Sequence, residues 1–234
     1  MKKKKRILYA IQGTGNGHVA RAREIIPILL KYGDLDILLS GDQSQVDLGH
    51  PIKYQAKGLT FLYSSTGAID YIRTIFKNNI FRLLHAIMTL PIQDYDLIIN
   101  DFEFTSAWAC KLRGKSCYGL GHQMSFRSNK VPRPTKRSWL GEFILRWYAP
   151  IEEGIGFHFR AFDEGIAPPV IRSEVRQQLV ENKGHYTVYL PAFGIKEVCS
   201  FLNQFPETDF EVFTKYVSEK EVQENVRLLP VHND

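Results

Sequence analysis

Long hydrophobic runs are missing from this chain of 234 residues. None approaches the roughly 18 apolar residues that a membrane-spanning helix needs. No secretory leader is expected at this start, because the basic residues Lys2 to Arg6 are followed only by a short apolar run and then by glycines. Cysteine is scarce. Cys110, Cys117 and Cys199 are an odd set of three with no C-x-x-C spacing, which argues against a disulfide framework and a zinc site and leaves buried thiols in a reducing compartment. A cytoplasmic location is therefore expected. An excess of one charge is lacking once the tip is set aside: the formal net charge is +5, and Lys2 to Arg6 supply five positive charges by themselves. The pI of about 9.0 thus reports a basic tip and no nucleic-acid-binding surface. What is present is ample apolar material, 44% hydrophobic and 12% aromatic, enough for one large domain or one and a half ordinary ones.

Two familiar phosphate-binding patterns are also absent. The P-loop ends in Gly-Lys-Ser/Thr, where this chain has Gly17, His18 and Val19. The dinucleotide fingerprint G-x-G-x-x-G, begun at Gly13, would need glycine at the position of His18. Present instead is an apolar run, Ile7 to Ile11, then Gly13, Thr14, Gly15, Asn16, Gly17 and His18, then a helical pattern holding Arg21. Strand, glycine-rich turn and helix follow one another. Such a turn leaves backbone N–H groups at a helix N-terminus, where a phosphate, a carboxylate or a developing oxyanion is favoured. The glycines are expected to use positive φ to keep the turn tight. His18 is either an incidental residue of a helix start or an imidazole placed as a general base.

The rest of the chain repeats the alternation. Val19 to Tyr32 predicts a helix stopped by Gly33, and Asp36 to Ser40 predicts a strand buried on both faces. Thr60 to Ser64 predicts a third strand, and Ala68 to Leu90 predicts two helices broken at Asn78 and Asn79, packed on the sheet or exposing an apolar surface to a lipid acceptor. Tyr95 to Asp101 and Lys115 to Gly121 predict two more strands, the first ending at Asp101 and Glu103, the second at His122. Asp101 is placed to orient or deprotonate a hydroxyl, or to cap the helix that follows. His18, Asp101, Glu103 and His122 are then expected at the C-terminal edge of one parallel sheet, where open α/β sheets bind ligands.

A basic, proline-interrupted loop from Arg127 to Arg137 leads to a helix capped by Ser138, whose Trp139 and Trp147 are expected to pack on the sheet, the alternative being membrane contact. Gly156 to Phe162 predicts the last strand of the first domain. Pro168 and Pro169 mark an exit, and from His185 the strand and helix pattern restarts. The expected organisation is a first Rossmann-like domain over 1–166, a linker over 167–184 and the start of a second Rossmann-like domain over 185–234.

The stretch from Gly13 to Arg21 resembles the first loop of glycosyltransferases of the two-Rossmann-domain GT-B type, in particular the family 28 kind that includes the peptidoglycan lipid-intermediate N-acetylglucosaminyltransferase. The resemblance implies an acceptor-binding first domain, a second domain for a nucleoside diphosphate sugar, and transfer to a hydroxyl in the cleft between them. It implies His18 or Asp101 as the base, with Gly13, Thr14, Gly15, Asn16, Gly17, Glu103 and His122 as substrate contacts. The acceptor would be a hydroxyl, lipid-linked in some members, which brings peripheral membrane contact into view. About 50 residues follow the linker, short of the roughly 100 of a doubly wound domain, so the donor site is expected to be incomplete. Two other classes fit the same residues: a non-catalytic module that binds a sugar or nucleotide sugar, and an enzyme of the sugar-nucleotide epimerase type. No clustered spacing of carboxylates and histidines argues for a metal, and no cofactor is expected.

Overall fold

In a computed structural model of the full chain, residues 4–41, 44, 46–57 and 79–231 are described. They fall into two compact units, one holding the described residues up to Arg176 and the other those from Gln177 onward.

In the first unit, strands β1 (Lys5–Gln12), β2 (Gly33–Ser40), β3 (Tyr54–Ala56), β4 (Leu97–Asp101), β5 (Tyr118–Gly121), β6 (Glu153–Phe157) and β7 (Ile166–Ala167) form a single sheet in the order β3-β2-β1-β4-β5-β6-β7. Every pairing is parallel. Ile7 to Ile11 are fully buried because both faces of β1 are covered. Tyr9 and Ile11 face helix α1 (Asn16–Leu29), packing with Val19, Ala22 and Ile26. Leu8 and Ala10 face the other way, toward Ile87 of α2 (Ile80–Thr89) and Ala109 and Cys110 of α3 (Phe104–Leu112). Burial on both sides is why this strand reads as unbroken hydrophobic sequence and not as an alternation.

Several expectations are corrected. Among the described residues the third strand is Tyr54–Ala56, where the sequence reads as irregular; the expected strand over 60–64 and the first half of the helical pattern over 68–90 lie outside the described residues and are not tested. Helix α1 ends at Leu29, three residues early, and Gly33 opens β2 instead of merely stopping the helix. The sheet does not end with a strand over 156–162: β6 stops at Phe157, and β7 adds an edge strand across the expected boundary between first domain and linker. Helix α4 is a single turn, His122–Ser125, and α5 is Trp139–Trp147, capped as expected by the Ser138 hydroxyl, which accepts from Gly141 N at 3.2 Å. The expected packing of α5 fails. No residue of α5 is buried, and Trp139 is 78% exposed.

The second unit contains β8 (His185–Val188), α6 (Ile195–Leu202), β9 (Asp209–Thr214), β10 (Glu221–Gln223) and β11 (Val226–Pro230). Its sheet runs β10-β11-β9-β8, parallel except for the β10–β11 hairpin. Val198, Cys199 and Leu202 of α6 pack on Phe210, Val212, Val226 and Leu228. The restart read from His185 is thus a βαβ unit followed by a hairpin, with β10 not legible in advance. Among the described residues no helix is long and apolar enough to cross a membrane.

Candidate active site

Parallel pairing aligns the strand ends. Ile11 lies opposite Asp101 in the register, Gln12 opposite Ser40, and Asn100 opposite Gly119. Gln12, Ser40, Asp101 and Gly121 therefore end on one edge, at the reversal of strand order between β1 and β4, which is where this architecture places ligands.

Helix α1 starts at Asn16 with Gly15 as its N-cap, so Gly17 and His18 occupy its first turn with no side-chain cap above them. None of Gly13, Gly15 and Gly17 has positive φ. The tightness has another cause. Gly13 N donates to Ser40 O at 2.6 Å, and a Cβ on Gly13 would lie within about 3.1 Å of the Ser40 and Gly41 carbonyl oxygens. Positive φ belongs to Gly41 across the turn, at 92°. Gly15 and Gly17 meet nothing where a side chain would go, which keeps the helix start open. Thr14 and Asn16 are engaged locally: Thr14 Oγ1 accepts from Gln12 Nε2 at 3.0 Å, and Asn16 Oδ1 accepts from Ser44 Oγ at 3.3 Å.

His18 meets Asp101 directly, with Nδ1 2.8 Å from Oδ1. Asp101 has no exposed surface. Burial pushes its carboxyl up, but the charges and hydrogen bonds of His18 and Arg21 outweigh this and hold it below the ordinary carboxylate range. An ionised carboxylate carries no proton to give, so the short contact requires Nδ1–H to donate to Asp101. In the neutral imidazole that tautomer carries its lone pair on Nε2. Arg21, one helical step from His18, donates from Nε to Oδ2 at 3.0 Å and from Nη2 to both carboxylate oxygens at 2.6 and 2.8 Å. Its Nη2 also lies 3.1 Å from His18 Nδ1.

His122 opens α4, and its Nδ1–H donates to Phe157 O at 3.0 Å. Burial and the nearby Arg21 guanidinium push this imidazole below its ordinary range. Gly17, His18, Arg21, His122, Gln123 and Arg172 line one open cavity of about 390 Å³. The structure thus brings His18, Asp101 and His122 together, with Gly17 at the rim.

Glu103 does not belong with them, which corrects its reading as a substrate contact. It has no exposed surface, and its carboxylate accepts from Thr105 N at 2.7 Å, from Ser106 N and Oγ at 2.6 Å each, and from Ser40 Oγ. It, and not Asp101, is the N-cap of α3. The chain bends to put it there: Phe102 adopts φ 55°, and Asn100 binds the Glu103 backbone at both N and O. Gly121 is the residue the sequence reading passed over. A Cβ there would sit 2.9 Å from Asp101 Oδ1, so only glycine leaves room for the ion pair. The available signal was a glycine at the last position of a strand, next to a histidine.

The geometry places a histidine–carboxylate pair at the ligand edge of a Rossmann-like sheet. The profile of glycosyl transferase family 1 matches residues 5–234, so the chain belongs to that family and is a glycosyltransferase. Among solved structures, Acinetobacter baumannii MurG is 15% identical, covering 97% of this chain and 67% of its own, at a TM-score of 0.44. SsfS6, a glycosyltransferase of Streptomyces sp. SF2575, is 13% identical, covering 98% and 71%, at 0.48. Arabidopsis thaliana UGT89C1 complexed with UDP-L-rhamnose is 11% identical, covering 100% and 71%, at 0.47. No curated protein sequence matches the chain.

Proposed function

We propose that the chain transfers a sugar from a nucleoside diphosphate sugar to an acceptor hydroxyl, with His18 as the base and the first unit as the acceptor side. The observation that carries this is the contact of buried Asp101 with His18, which lines the cavity, in a member of a glycosyltransferase family. Asp101 fixes the Nδ1–H tautomer, so Nε2 is the atom that takes the hydroxyl proton. The acceptor oxygen then bonds to the anomeric carbon as the bond from that carbon to the diphosphate oxygen breaks, and the nucleoside diphosphate leaves with the electron pair. Gly17 and the open first turn of α1 offer N–H groups to negative charge nearby, and His122 offers a second neutral imidazole to a substrate hydroxyl.

The test is incubation with UDP-, GDP- and dTDP-sugars and a panel of sugar and lipid-linked hydroxyl acceptors, reading release of nucleoside diphosphate and the new glycoside. Acceptor-dependent release that disappears in His18→Ala is expected. Interconversion of the sugar while the nucleotide stays attached would overturn transfer in favour of an epimerase, and binding without release would favour a binding module.

Peripheral contact with a membrane belongs to the same proposal. Phe81 is 82% exposed on α2, with Leu84 and Met88 beside it, and Trp139 and Phe143 are exposed on α5. Both helices flank α3, since Ile87 of α2 packs with Ala109 and Cys110, and Trp108 Nε1 donates to Trp147 O at 3.2 Å. Lys111 and Arg146 lie over the Trp147 ring. Aromatic side chains edged by cations fit an anionic lipid surface. Sedimentation with vesicles containing phosphatidylglycerol, weakened by salt and by Phe81→Ser with Trp139→Ser, is the expected behaviour; equal recovery of both forms in the supernatant would remove the membrane from the proposal.

A further inference from the structure

Arg21 is an unusual use of a cation. It is only 8% exposed, yet it lines the cavity, and its plane is fixed from beneath by the Phe157 ring, 5.6 Å from its Cζ. Three of its hydrogen bonds go to Asp101, the carboxylate that holds His18. We propose that Arg21 is a positioning residue for the proton transfer: it ties the Asp101 carboxylate against His18, and its charge beside the same ring opposes the loading of a second proton onto the imidazole. This rests on His18 being the base.

The argument follows from the groups that face His18. From β4 comes Asp101, whose negative charge favours a protonated ring. From the helix of His18 itself comes Arg21, with Nη2 at 3.1 Å from Nδ1, which disfavours it. From α4 comes His122, held neutral, and next to Asp101 lies the buried Tyr9 phenol of β1, which burial and the Asp101 charge keep protonated. Arg172 lines the far wall of the cavity and adds positive charge. A histidine paired with a lone carboxylate would hold its second proton more tightly and be a base less often. Here the carboxylate that orients the ring shares its charge with a guanidinium. The same proximity is a hazard. If the carboxylate were absent, Arg21 Nη2 would donate to Nδ1, the ring proton would move to Nε2, and the lone pair needed in the cavity would be lost.

Labelling the histidine rings of the full chain with nitrogen-15 and recording long-range proton–nitrogen spectra against pH tests this without any substrate, His18→Gln identifying the signal. In the wild type the Nδ1–H tautomer is expected. In Arg21→Gln the titration midpoint of His18 should move to higher pH by about one unit or more, whereas Arg21→Lys, which keeps the charge, should move it far less. An unmoved midpoint in Arg21→Gln overturns the proposal. Should Arg21→Gln not fold, Asp101→Asn is compared with Asp101→Asn combined with Arg21→Gln. The single variant should show the Nε2–H tautomer and the double variant should lose it, with the midpoint rising; identical spectra would overturn the proposal equally. Failure of the base assignment is read elsewhere, in transfer by His18→Ala, so the two can fall separately.

Discussion

Each unit contains a histidine and an arginine paired with acidic side chains, one acid in the first and two in the second, and the two sets differ in position and in burial. In the first, His18, Asp101 and Arg21 meet beyond the C-terminal ends of parallel strands, with Asp101 fully buried. In the second, His185 Nε2 lies 3.1 Å from Glu211, and Arg227 reaches Glu211 at 3.2 Å and Asp209 at 3.1 Å. These residues stand within the first three positions of β8, β9 and β11, the edge where parallel sheets do not bind ligands. Their side chains keep between 17% and 56% of their surface. Similar residue types make a buried pair at one end of a sheet and a more solvated strand-to-strand tie at the other. Position along the strand and loss of water decide which.

Deleting each histidine gives the sharpest contrast. His18→Ala should lower kcat for transfer by about 100-fold to 10,000-fold, while the denaturation midpoint hardly moves. His185→Ala should leave the rate within error. A His18→Ala protein that melts early yet turns over normally would reduce the first cluster to the status of the second.

The carboxylates are compared through stability, and the chain supplies its own probe. All three tryptophans, Trp108, Trp139 and Trp147, lie in the first unit, so their fluorescence follows that unit. Asp101→Ala leaves Arg21 buried without a counter-ion and should cost about 3–5 kcal/mol. Glu211→Ala removes a half-solvated partner and should cost under about 1 kcal/mol by far-ultraviolet circular dichroism. Equal losses would mean that the two clusters are alike in desolvation after all.

What the sequence made legible follows the same division. Backbone periodicity is local, so the strand, glycine turn and helix around His18, the strand ending at Asp101 and the restart at His185 could be read directly. The parallel edge that gathers His18, Asp101 and His122 followed from strand directions. The partners of the two carboxylates could not be read, because Asp101 and Glu103 are two residues apart and chemically alike. Only the φ of 55° at Phe102 sends one toward Arg21 and the other back over α3. The role of Gly121 was hidden for a related reason: its neighbour in space, Asp101, comes from a different strand. Helix α5 was misread because amphipathic spacing shows which residues share a face and not whether anything covers it.

Acid sharpens the comparison further. The Asp101 carboxyl sits below the ordinary range when folded, so its contribution to stability is complete above the unfolded value of about 4 and is lost as pH falls through the lower folded value. The tryptophan-detected midpoint should therefore decline below about pH 4, and Asp101→Asn should flatten that decline by removing the titrating group. An unchanged acid slope in Asp101→Asn would show that other carboxylates carry it.

The smallest effect separates the neighbouring acids. Glu103→Gln keeps the size of the cap and one amide oxygen to accept from Thr105 N or Ser106 N, but it loses the charge at the start of α3 and puts an NH₂ against donors from Ser40 and Ser106. A loss of about 1–2 kcal/mol in the first unit is expected, in the range of a capping change with a strained buried contact. Transfer measured well below the melting temperature should be unchanged, because the side chain has no surface through which to touch a substrate. If kcat fell by the factor expected for His18→Ala while fluorescence showed the unit intact, Glu103 would have to be restored to the site, and its contacts with Ser40 and Ser106 would have to open for it to act.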